Sequence, residues 1–316
     1  MINTTKNENI NWLINAFVDS NFLLSLNPVI AGSFVSNIYK TCSIYDTDSK
    51  FRQLKNKLEK GIKTVDLDKF GDIDIWMLNN NEIHNELNIN RNITSDSPPN
   101  RIQPHNDGAT FSLKSTSKWA NTYYLNRNIH DKNKIVSTYG TNTFQFIKTK
   151  HESPSELLKT FDFINSSVAW HDGVTYYDSR IDSAFENLEL QMNSMSGYEN
   201  SSIATKVFNG LRAFKYSKRY GLHFSEELTD KVFNVYCESV DVDFNKYNEK
   251  VVELENLYGK KISSSDALKS MISSFHRCFG IFITMKYFKP EYAAFLINSS
   301  DQLYNLKDYL NKDIPF

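Results

Sequence analysis

A short apolar run interrupted by two acids is the feature that most constrains this chain. The run extends from Phe70 to Leu78 and is rich in isoleucine, which is typical of a buried strand. Asp72 and Asp74 lie inside it, two residues apart, so a strand places both carboxylates on one face. Adjacent carboxylates repel each other and are costly to bury, whereas a divalent cation between them removes that conflict.

This acidic pair has two interpretations. Carboxylate oxygens are hard ligands that suit Mg²⁺ or Mn²⁺, which predicts a metal site at Asp72 and Asp74. Two solvated acids at the end of a strand have the same spacing, and the tripeptide alone does not separate the two interpretations. Other parts of the chain therefore have to decide between them.

Two further segments carry candidate site residues. Gly32 and Ser33 lead into a predicted helix, where a glycine lets a phosphate approach the backbone and the helix N-terminus and hydroxyl donate to it. A simple turn with a helix cap is the alternative. Asp162 is a lone acid in a strand predicted from Phe161 to Trp170, and a satisfied residue on a sheet edge is its alternative.

A basic helix is predicted further along the chain. Arg212, Lys215 and Arg219 are three or four residues apart and can share one helix face, with Tyr216 beside them. Cations next to an aromatic ring suit the binding of a triphosphate and the stacking of a base. The alternative is a solvated, charged helix face.

Taken together, these segments resemble the DNA polymerase beta superfamily of nucleotidyltransferases, which includes poly(A) polymerases and CCA-adding enzymes. The matching elements are Gly32-Ser33, Asp72-Ile73-Asp74 and Asp162. The separation between Ser33 and Asp72 is longer than in many members of that superfamily.

Three motifs look like a viral and phage subgroup of the same superfamily. They are a DIDI strand at Asp72, an FDF segment at Phe161 to Phe163 and an RxxKY helix at Arg212 to Tyr216. The resemblance covers about residues 25 to 222, and the stretch 79–134 is unmatched.

The resemblance implies an α+β fold in which a mixed β-sheet with flanking helices is followed by an all-helical C-terminal domain. We expect a catalytic domain over residues 1–181 and a helical domain that binds nucleotide and acceptor over residues 182–316. Residues 79–134 are polar and rich in asparagine, and they predict an insertion with limited regular structure.

The resemblance also implies a metal-dependent transfer of NMP from an NTP, either ATP or CTP, to an acceptor hydroxyl. Asp72, Asp74 and Asp162 are the expected catalytic residues and would hold two Mg²⁺ or Mn²⁺ ions. The expected nucleotide-binding residues are Gly32, Ser33, Arg212, Lys215 and Tyr216.

The acceptor stays open at this level. The 3′ end of an RNA, tRNA included, is the expected acceptor, and a hydroxyl of a protein or small molecule is the second hypothesis. A catalytically inactive relative that serves as a scaffold is the third, and intact acids at three positions speak against it.

Composition limits which partners and which cellular compartment are expected for the chain. Its 316 residues carry a formal net charge of -1, so any polyanion must bind to a local basic patch. Three well-separated cysteines form no zinc or disulfide pattern, and no signal peptide or membrane-spanning run is visible. We expect a cytoplasmic protein, in the host cytoplasm if the chain is viral, with no membrane partner.

Periodicity and turn signals predict the remaining elements. The predicted strands are 29–31, 135–137 and 144–147, with a hairpin that joins 161–170 to 174–177 through an Asp-Gly turn. The predicted helices are 9–26, one starting at 34, 50–60, 119–125, 153–160, one around 203–214, one starting at 225, 246–257, 265–279 and 302–310.

Overall fold

A computed structural model describes most of the chain, which divides into two units, Met1–Asn187 and Leu188–Phe316. The described residues are 1–18, 21–43, 51–53, 55–56, 72–78, 93–103, 109–127, 143–193, 201–244, 251–253 and 261–287. The predicted strand 135–137, the predicted helix 302–310 and most of the predicted helix 50–60 lie outside them. In the described ranges, no helix is both long and apolar enough to cross a membrane.

The first unit alternates helices with the strands of one sheet. In chain order its elements are β1 (Ile2–Thr5), α1 (Glu8–Val18), α2 (Asn21–Ser25), β2 (Val29–Ala31), α3 (Ser33–Ser43), β3 (Ile73–Trp76), β4 (Arg101–Ile102), β5 (Ala109–Thr116), β6 (Ala120–Arg127), β7 (Thr143–Ile147), α4 (Pro154–Lys159), a 3-10 turn (Ile164–Ser166), β8 (Val168–His171), β9 (Val174–Asp178) and α5 (Ile181–Glu186).

The sheet is mixed, as the sequence predicts. Its strand order is β1-β9-β8-β2-β3-β7-β6-β5-β4, and β3 and β7 form its parallel pair. All the other neighbouring strands run antiparallel. Strand β3, which carries the acidic pair, therefore lies in the middle of the sheet between β2 and β7. The predicted class, a mixed sheet with flanking helices followed by a helical region, is confirmed.

Helix α4 covers one face of this sheet. Ser153 caps it, because its Oγ accepts from the backbone N–H of Glu156 at 3.2 Å, and a proline opens the first turn as predicted. Leu157 and Leu158 are at most 1% exposed, and their burial contributes about 1.5–3 kcal/mol each to folding. They pack with the inward side chains of three strands, which are Val29, Ala31, Trp76 and Ala169.

Helices α1 and α3 cover the opposite face. Their packing includes an edge-to-face contact between Phe17 and Phe34, with ring centroids 5.7 Å apart. Trp170 points to this side from β8, and its indole Nε1 donates to Oδ1 of Asn11 in α1 at 2.7 Å. The same Asn11 donates through Nδ2 to the carbonyl of Gly173 at 3.1 Å, which ties α1 to the β8–β9 turn. That turn is the predicted Asp-Gly hairpin, with positive φ at both residues.

The prediction of limited regular structure for residues 79–134 is wrong in the part that the structure describes, which contains β4, β5 and β6. Strands β5 and β6 form a long hairpin that extends the main sheet beyond β7, so the helix predicted at 119–125 is a strand. Asn121 is fully buried and donates to the carbonyls of Ile93 and Ser95 at 2.7 and 2.8 Å, which anchors the preceding loop. Polar residues on the outer face hid an alternating pattern of strands with one buried side.

The second unit is mainly helical. Its elements are β10 (Glu189–Leu190), α6 (Ile203–Tyr220), β11 (His223–Phe224), α7 (Glu226–Val240), β12 (Val251–Glu253), β13 (Lys261–Ser263) and α8 (Ser264–Tyr287). Ser202 and Ser225 cap α6 and α7 through their hydroxyls, and Gly221 ends α6 in the left-handed conformation.

Two short strand pairs qualify the prediction of an all-helical second domain. Strands β10 and β11 pair in parallel, and β12 and β13 pair antiparallel. The helix predicted over 246–257 is therefore wrong at 251–253, because these residues pair with β13 and leave the helical conformation. The predicted domain boundary at 181/182 lies at the start of α5, which the structure includes in the first unit.

Helices α6 and α8 approach closely at a glycine. A Cβ placed on Gly210 would lie 2.5 Å from Cε2 of Phe275, which is closer than real Cβ atoms approach a neighbour. Phe275 is fully buried and belongs to an aromatic layer with Phe214 and Phe279. The absence of a side chain at Gly210 therefore sets the distance between these two helices.

A serine–histidine pair joins α7 to α8. Oγ of Ser239 donates to the carbonyl of Tyr236 at 2.8 Å and lies 2.7 Å from Nε2 of His276. Because the serine hydrogen is already used, the imidazole Nε2 is the donor to Oγ. This is the reverse of a base that activates a serine, so the pair is a structural link. Burial lowers the pKa of His276, whose ring lies 4.9 Å from that of Tyr236.

We expect Gly210→Ala to lower the free energy of unfolding by about 1–3 kcal/mol, because the added methyl overpacks the contact with Phe275. Gly280→Ala in α8 is the matched control. Nothing lies within 4 Å of its added Cβ, so the better helix propensity of alanine should raise stability by up to about 1 kcal/mol. Urea denaturation followed by circular dichroism measures both, and equal effects would show that the close contact has no energetic role.

We expect acid to destabilise the second unit through His276. Its folded-state pKa lies below the unfolded value, so the neutral form is favoured by folding. That contribution is present above the unfolded pKa of about 6.5 and is lost as pH falls below it. His276→Gln keeps an Nε2 donor for Ser239 and does not titrate. Between pH 7 and 5 the variant should lose less stability than the wild type in urea denaturation, and parallel pH profiles would contradict this.

Candidate active site

The two acids of the sequence motif lie on the face of the sheet that α4 covers. Asp74 is in β3, and Asp72 immediately precedes this strand. Trp76, two residues after Asp74, points into the core under α4, so the alternation of the strand puts Asp72, Asp74 and Trp76 on the same side. Both aspartates are half-buried, unlike the fully enclosed residues around them.

Gly32 lies directly beside this pair. Ala31 is the register partner of Asp74 across β2 and β3, and the chain turns into α3 at the next residue. Gly32 has φ +85, and a Cβ placed on it would lie 3.4 Å from Oδ2 of Asp74. The structure therefore brings the predicted Gly32-Ser33 segment together with one of the predicted acids.

The turn at Gly32 also places the N-terminus of α3 next to Asp74. The N–H of Gly32 donates to the carbonyl of Val168 at 3.0 Å, and its own carbonyl accepts from the N–H of Ser36 at 3.0 Å. Gly32 is thus the N-cap of α3, and Ser33 is the first helical residue. The first backbone N–H groups of a helix carry a partial positive charge, which stabilises a nearby carboxylate or phosphate.

The sequence analysis missed Gln145 as a member of this site. Gln145 is the register partner of Asp74 in the parallel pair of β3 and β7. Its Nε2 donates to Oδ2 of Asp72 at 3.0 Å. One polar residue between two buried phenylalanines was the available signal, because a long polar side chain in such a strand needs a partner.

Asp162 is placed differently from the prediction. It lies in a bend between α4 and the 3-10 turn, so the strand predicted from Phe161 starts only at β8. The neighbouring Phe161 packs edge-to-face on Trp76, with centroids 5.7 Å apart, on the same side of the sheet as the acids. Among the described residues, no three His, Cys, Asp or Glu side chains form a group that could hold a metal. The role of Asp162 as a third ligand beside Asp72 and Asp74 stays a prediction.

The basic helix of the second unit holds its cations against aromatic rings. The guanidinium groups of Arg212 and Arg219 lie 5.5 and 5.9 Å from the ring centroid of Tyr216. Tyr220 stacks on the same ring with an interplanar angle of 10°. Tyr216 is only 4% exposed, so its ring is not a free platform for a base, and the stacking role expected for it is not supported. Lys215 and Arg212 are each 8% exposed.

Two of the cysteines, Cys42 and Cys278, are buried and do not suit nucleophilic chemistry. Burial raises the pKa of Cys42 to about 12, and burial likewise raises the pKa of Cys278 to about 12. Both thiols are therefore protonated at neutral pH, whereas a cysteine nucleophile acts as the thiolate.

A cavity of about 310 Å³ opens at the other end of β2 from the acids. It is lined by Asn11, Asn15, Leu24, Asn27, Pro28, Trp170, Asp172 and Gly173. This lining has one carboxylate and no basic side chain, so it does not fit a triphosphate or a pair of acidic metal ligands. The candidate site for anion and metal chemistry lies at the opposite end of β2, where Gly32 leads into α3 beside Asp74.

The donor set at the acidic pair fits a divalent cation. Mg²⁺ is commonly held by one or two carboxylates together with water and substrate phosphates. Asp72 and Asp74 supply two carboxylates from one strand face, and the absence of a side chain at Gly32 leaves room beside Oδ2 of Asp74. The N-terminus of α3 adds donors for a phosphate at the same place.

No family model matches the chain, and no curated protein matches it in sequence. Similar solved structures include the Bacillus stearothermophilus CCA-adding enzyme in complex with CTP, with 10% sequence identity and a TM-score of 0.40 over 94% of this chain and 57% of that one. The Thermotoga maritima CCA-adding enzyme complexed with tRNA has 11% identity and a TM-score of 0.39, over 98% of this chain and 69% of that one. The chain spans a little over half the length of the Bacillus enzyme.

We expect Gly32→Ala and Gly221→Ala to cost similar stability but to differ at the site. Both residues have positive φ, so an alanine costs about 1–2 kcal/mol at either position. Only the Cβ at Gly32 lies near Asp74, and nothing lies within 4 Å of a Cβ at Gly221. Gly32→Ala alone should therefore weaken Mn²⁺ binding, measured by the electron paramagnetic resonance of free Mn²⁺. Equal Mn²⁺ affinity in the two variants would contradict a role for the space beside Asp74.

Proposed function

We propose that this chain is a metal-dependent nucleotidyltransferase that moves NMP from an NTP to an acceptor hydroxyl. The observation that carries the proposal is the side-by-side placement of the Asp74 carboxylate and Gly32 at the N-terminus of α3. A cation ligand and a phosphate-binding helix end are the two things that a triphosphate bound to a metal requires in one place.

The residues of the chain have separate tasks in this proposal. Asp72 and Asp74 would hold Mg²⁺ or Mn²⁺, which when bound neutralises the triphosphate and stabilises the attacking and leaving oxygens. Ser33 and the first N–H groups of α3 would bind phosphate oxygens. The half-buried position of the two aspartates lowers the number of waters that compete with the phosphates.

The reaction is a substitution at the α-phosphorus. The oxygen of the acceptor hydroxyl forms a bond to that phosphorus, and the bond to the bridging oxygen of the β-phosphate breaks. Pyrophosphate leaves with the electron pair, and the hydroxyl proton passes to water or to a carboxylate. The chain itself contributes position and charge, because it forms no covalent intermediate in this step.

The basic helix α6 is the proposed nucleotide-binding element of the second unit. Arg212 is held against Tyr216 and lies 5.8 Å from the ring centroid of Phe208, so its charge is carried by a preorganised side chain. We propose that Lys215, one helical turn from Arg212, is the nucleotide-binding lysine of this helix. Tyr216 is assigned the task of positioning the two arginines, in place of base stacking.

The proposed acceptor is the 3′ end of an RNA. The last turn of α6 carries Lys218 and Arg219 in addition to the buried cations, which gives a chain of nearly zero net charge a local basic segment for a phosphate backbone. Incubating the full chain with total RNA, each labelled NTP and Mn²⁺ tests this directly. Label on RNA supports the RNA acceptor, and label on protein would move the proposal to a protein hydroxyl.

Asp74→Asn is expected to abolish NMP transfer while the protein stays folded. The substitution removes one charge from the cation site and changes the side-chain volume very little, so the loss should exceed about 100-fold. Asp230→Asn, an exposed acid in α7, is the control and should retain wild-type turnover. Transfer is measured as release of pyrophosphate from labelled NTP. Wild-type turnover in Asp74→Asn, with a wild-type circular dichroism spectrum, would overturn the proposed function.

A further inference from the structure

The partner of the acidic pair on the neighbouring strand is neutral. Gln145 lies opposite Asp74 in the parallel pair, and its amide reaches Asp72, so it contacts the motif from the side opposite to Gly32. Three adjacent strands thus contribute to one short row across the sheet, which runs from Ala31 through Asp74 to Gln145.

Strand β7 delivers this amide from a rigid frame. Phe144 and Phe146, on either side of Gln145, are fully buried on the other face of the sheet. Their rings pack edge-to-face with Phe111 of β5 and Tyr123 of β6, each at a centroid distance of 5.7 Å. The backbone at Gln145 is therefore fixed by aromatic packing, which limits the freedom of the side chain that points towards Asp72.

The chemistry of the hydrogen bond fixes the orientation of the amide. An ionised carboxylate only accepts hydrogen bonds, so the NH₂ group of Gln145 must face Asp72 and its carbonyl oxygen must face away. The bond at 3.0 Å occupies Oδ2 of Asp72 and holds that carboxylate in one rotamer. A glutamate at this position would instead place a third negative charge beside two others.

We propose that Gln145 is a positioning residue for a cation site formed by Asp72 and Asp74. Its amide orients the Asp72 carboxylate. Because glutamine is neutral, it adds no third negative charge to this face of the sheet. Partners that orient metal ligands in this way change metal affinity by about 10- to 100-fold when they are removed. The inference rests on the proposed function, because it assumes that the two acids bind a cation.

The test measures Mn²⁺ binding to the full chain without nucleotide, through the electron paramagnetic resonance of free Mn²⁺. Gln145→Leu should bind Mn²⁺ about 10- to 100-fold more weakly, with an unfolding midpoint in EDTA close to that of the wild type. Gln191→Leu is the matched control, because Gln191 donates a similar amide hydrogen bond to Glu189 at 2.9 Å in the second unit. Its Mn²⁺ affinity should equal that of the wild type.

Gln145→Glu gives a second test, in which the melting temperature is measured with and without Mn²⁺. In EDTA three clustered carboxylates repel, so this variant should melt below the wild type. Saturating Mn²⁺ should restore its melting temperature, because the added carboxylate becomes a ligand. A variant with wild-type thermal stability in EDTA, or one whose melting temperature does not respond to Mn²⁺, contradicts the placement of Gln145 at the site.

The outcomes separate the two proposals. Wild-type protein that binds no Mn²⁺ overturns the proposed function, and with it the role of Gln145. If the wild type binds Mn²⁺ and Asp74→Asn does not, the cation site holds, and an unchanged affinity in Gln145→Leu then overturns the positioning role alone. A weakened affinity in Gln145→Leu together with an unchanged one in Gln191→Leu supports it.

Discussion

The left-handed turn at Gly32, directly beside Asp74, is the constraint on which the rest of the candidate site depends. The register of β2 and β3 places Ala31 opposite Asp74, and the chain must then turn at once into α3. With φ at +85, that turn is accessible at little cost only to a residue without a side chain. The same turn starts α3 next to Asp74, so the positive φ of one glycine serves both the fold and the electrostatics of the site.

The apolar layer under α4 gives this arrangement its rigidity. Asp74 shares a strand face with Trp76, whose ring packs on Phe161 and on the two buried leucines of α4. A charged residue two positions from a buried tryptophan has little freedom to move, because β3 lies between two hydrogen-bonded neighbours. The acids therefore occupy the boundary between a packed core and solvent, where a carboxylate keeps partial hydration yet interacts strongly with a cation.

In the second unit, cationic side chains are buried against aromatic rings. Its helix α6 buries Arg212 and Lys215 to 8% exposure and stacks Tyr216 on Tyr220. An arginine held between aromatic rings keeps its charge and loses little rotamer freedom when it binds an anion. The close contact of Gly210 with Phe275 fixes α6 on α8, so this cationic helix belongs to a packed body and is more than a solvated surface helix.

Local sequence patterns determined much of the framework. The strand with two acids, the glycine entry to α3, the capped helix at Ser153, the Asp-Gly hairpin and the basic helix all depend on neighbours within a few residues, and the structure contains each of them. Strand β1 and the β5–β6 hairpin were missed, because their polar outer residues conceal one buried face that only the whole sheet reveals.

Only the tertiary structure decided which polar residues meet. The motif-based prediction placed Asp162 on a strand, whereas the structure places it in a bend before the 3-10 turn. Gln145, far from the motif in sequence, reaches Asp72 because β3 and β7 pair in parallel after a long crossover. The sequence by itself determined the two acids and the glycine turn, since these follow from local backbone geometry. Gln145 joins them only because the strand order of the sheet puts β7 next to β3, and no local pattern encodes strand order.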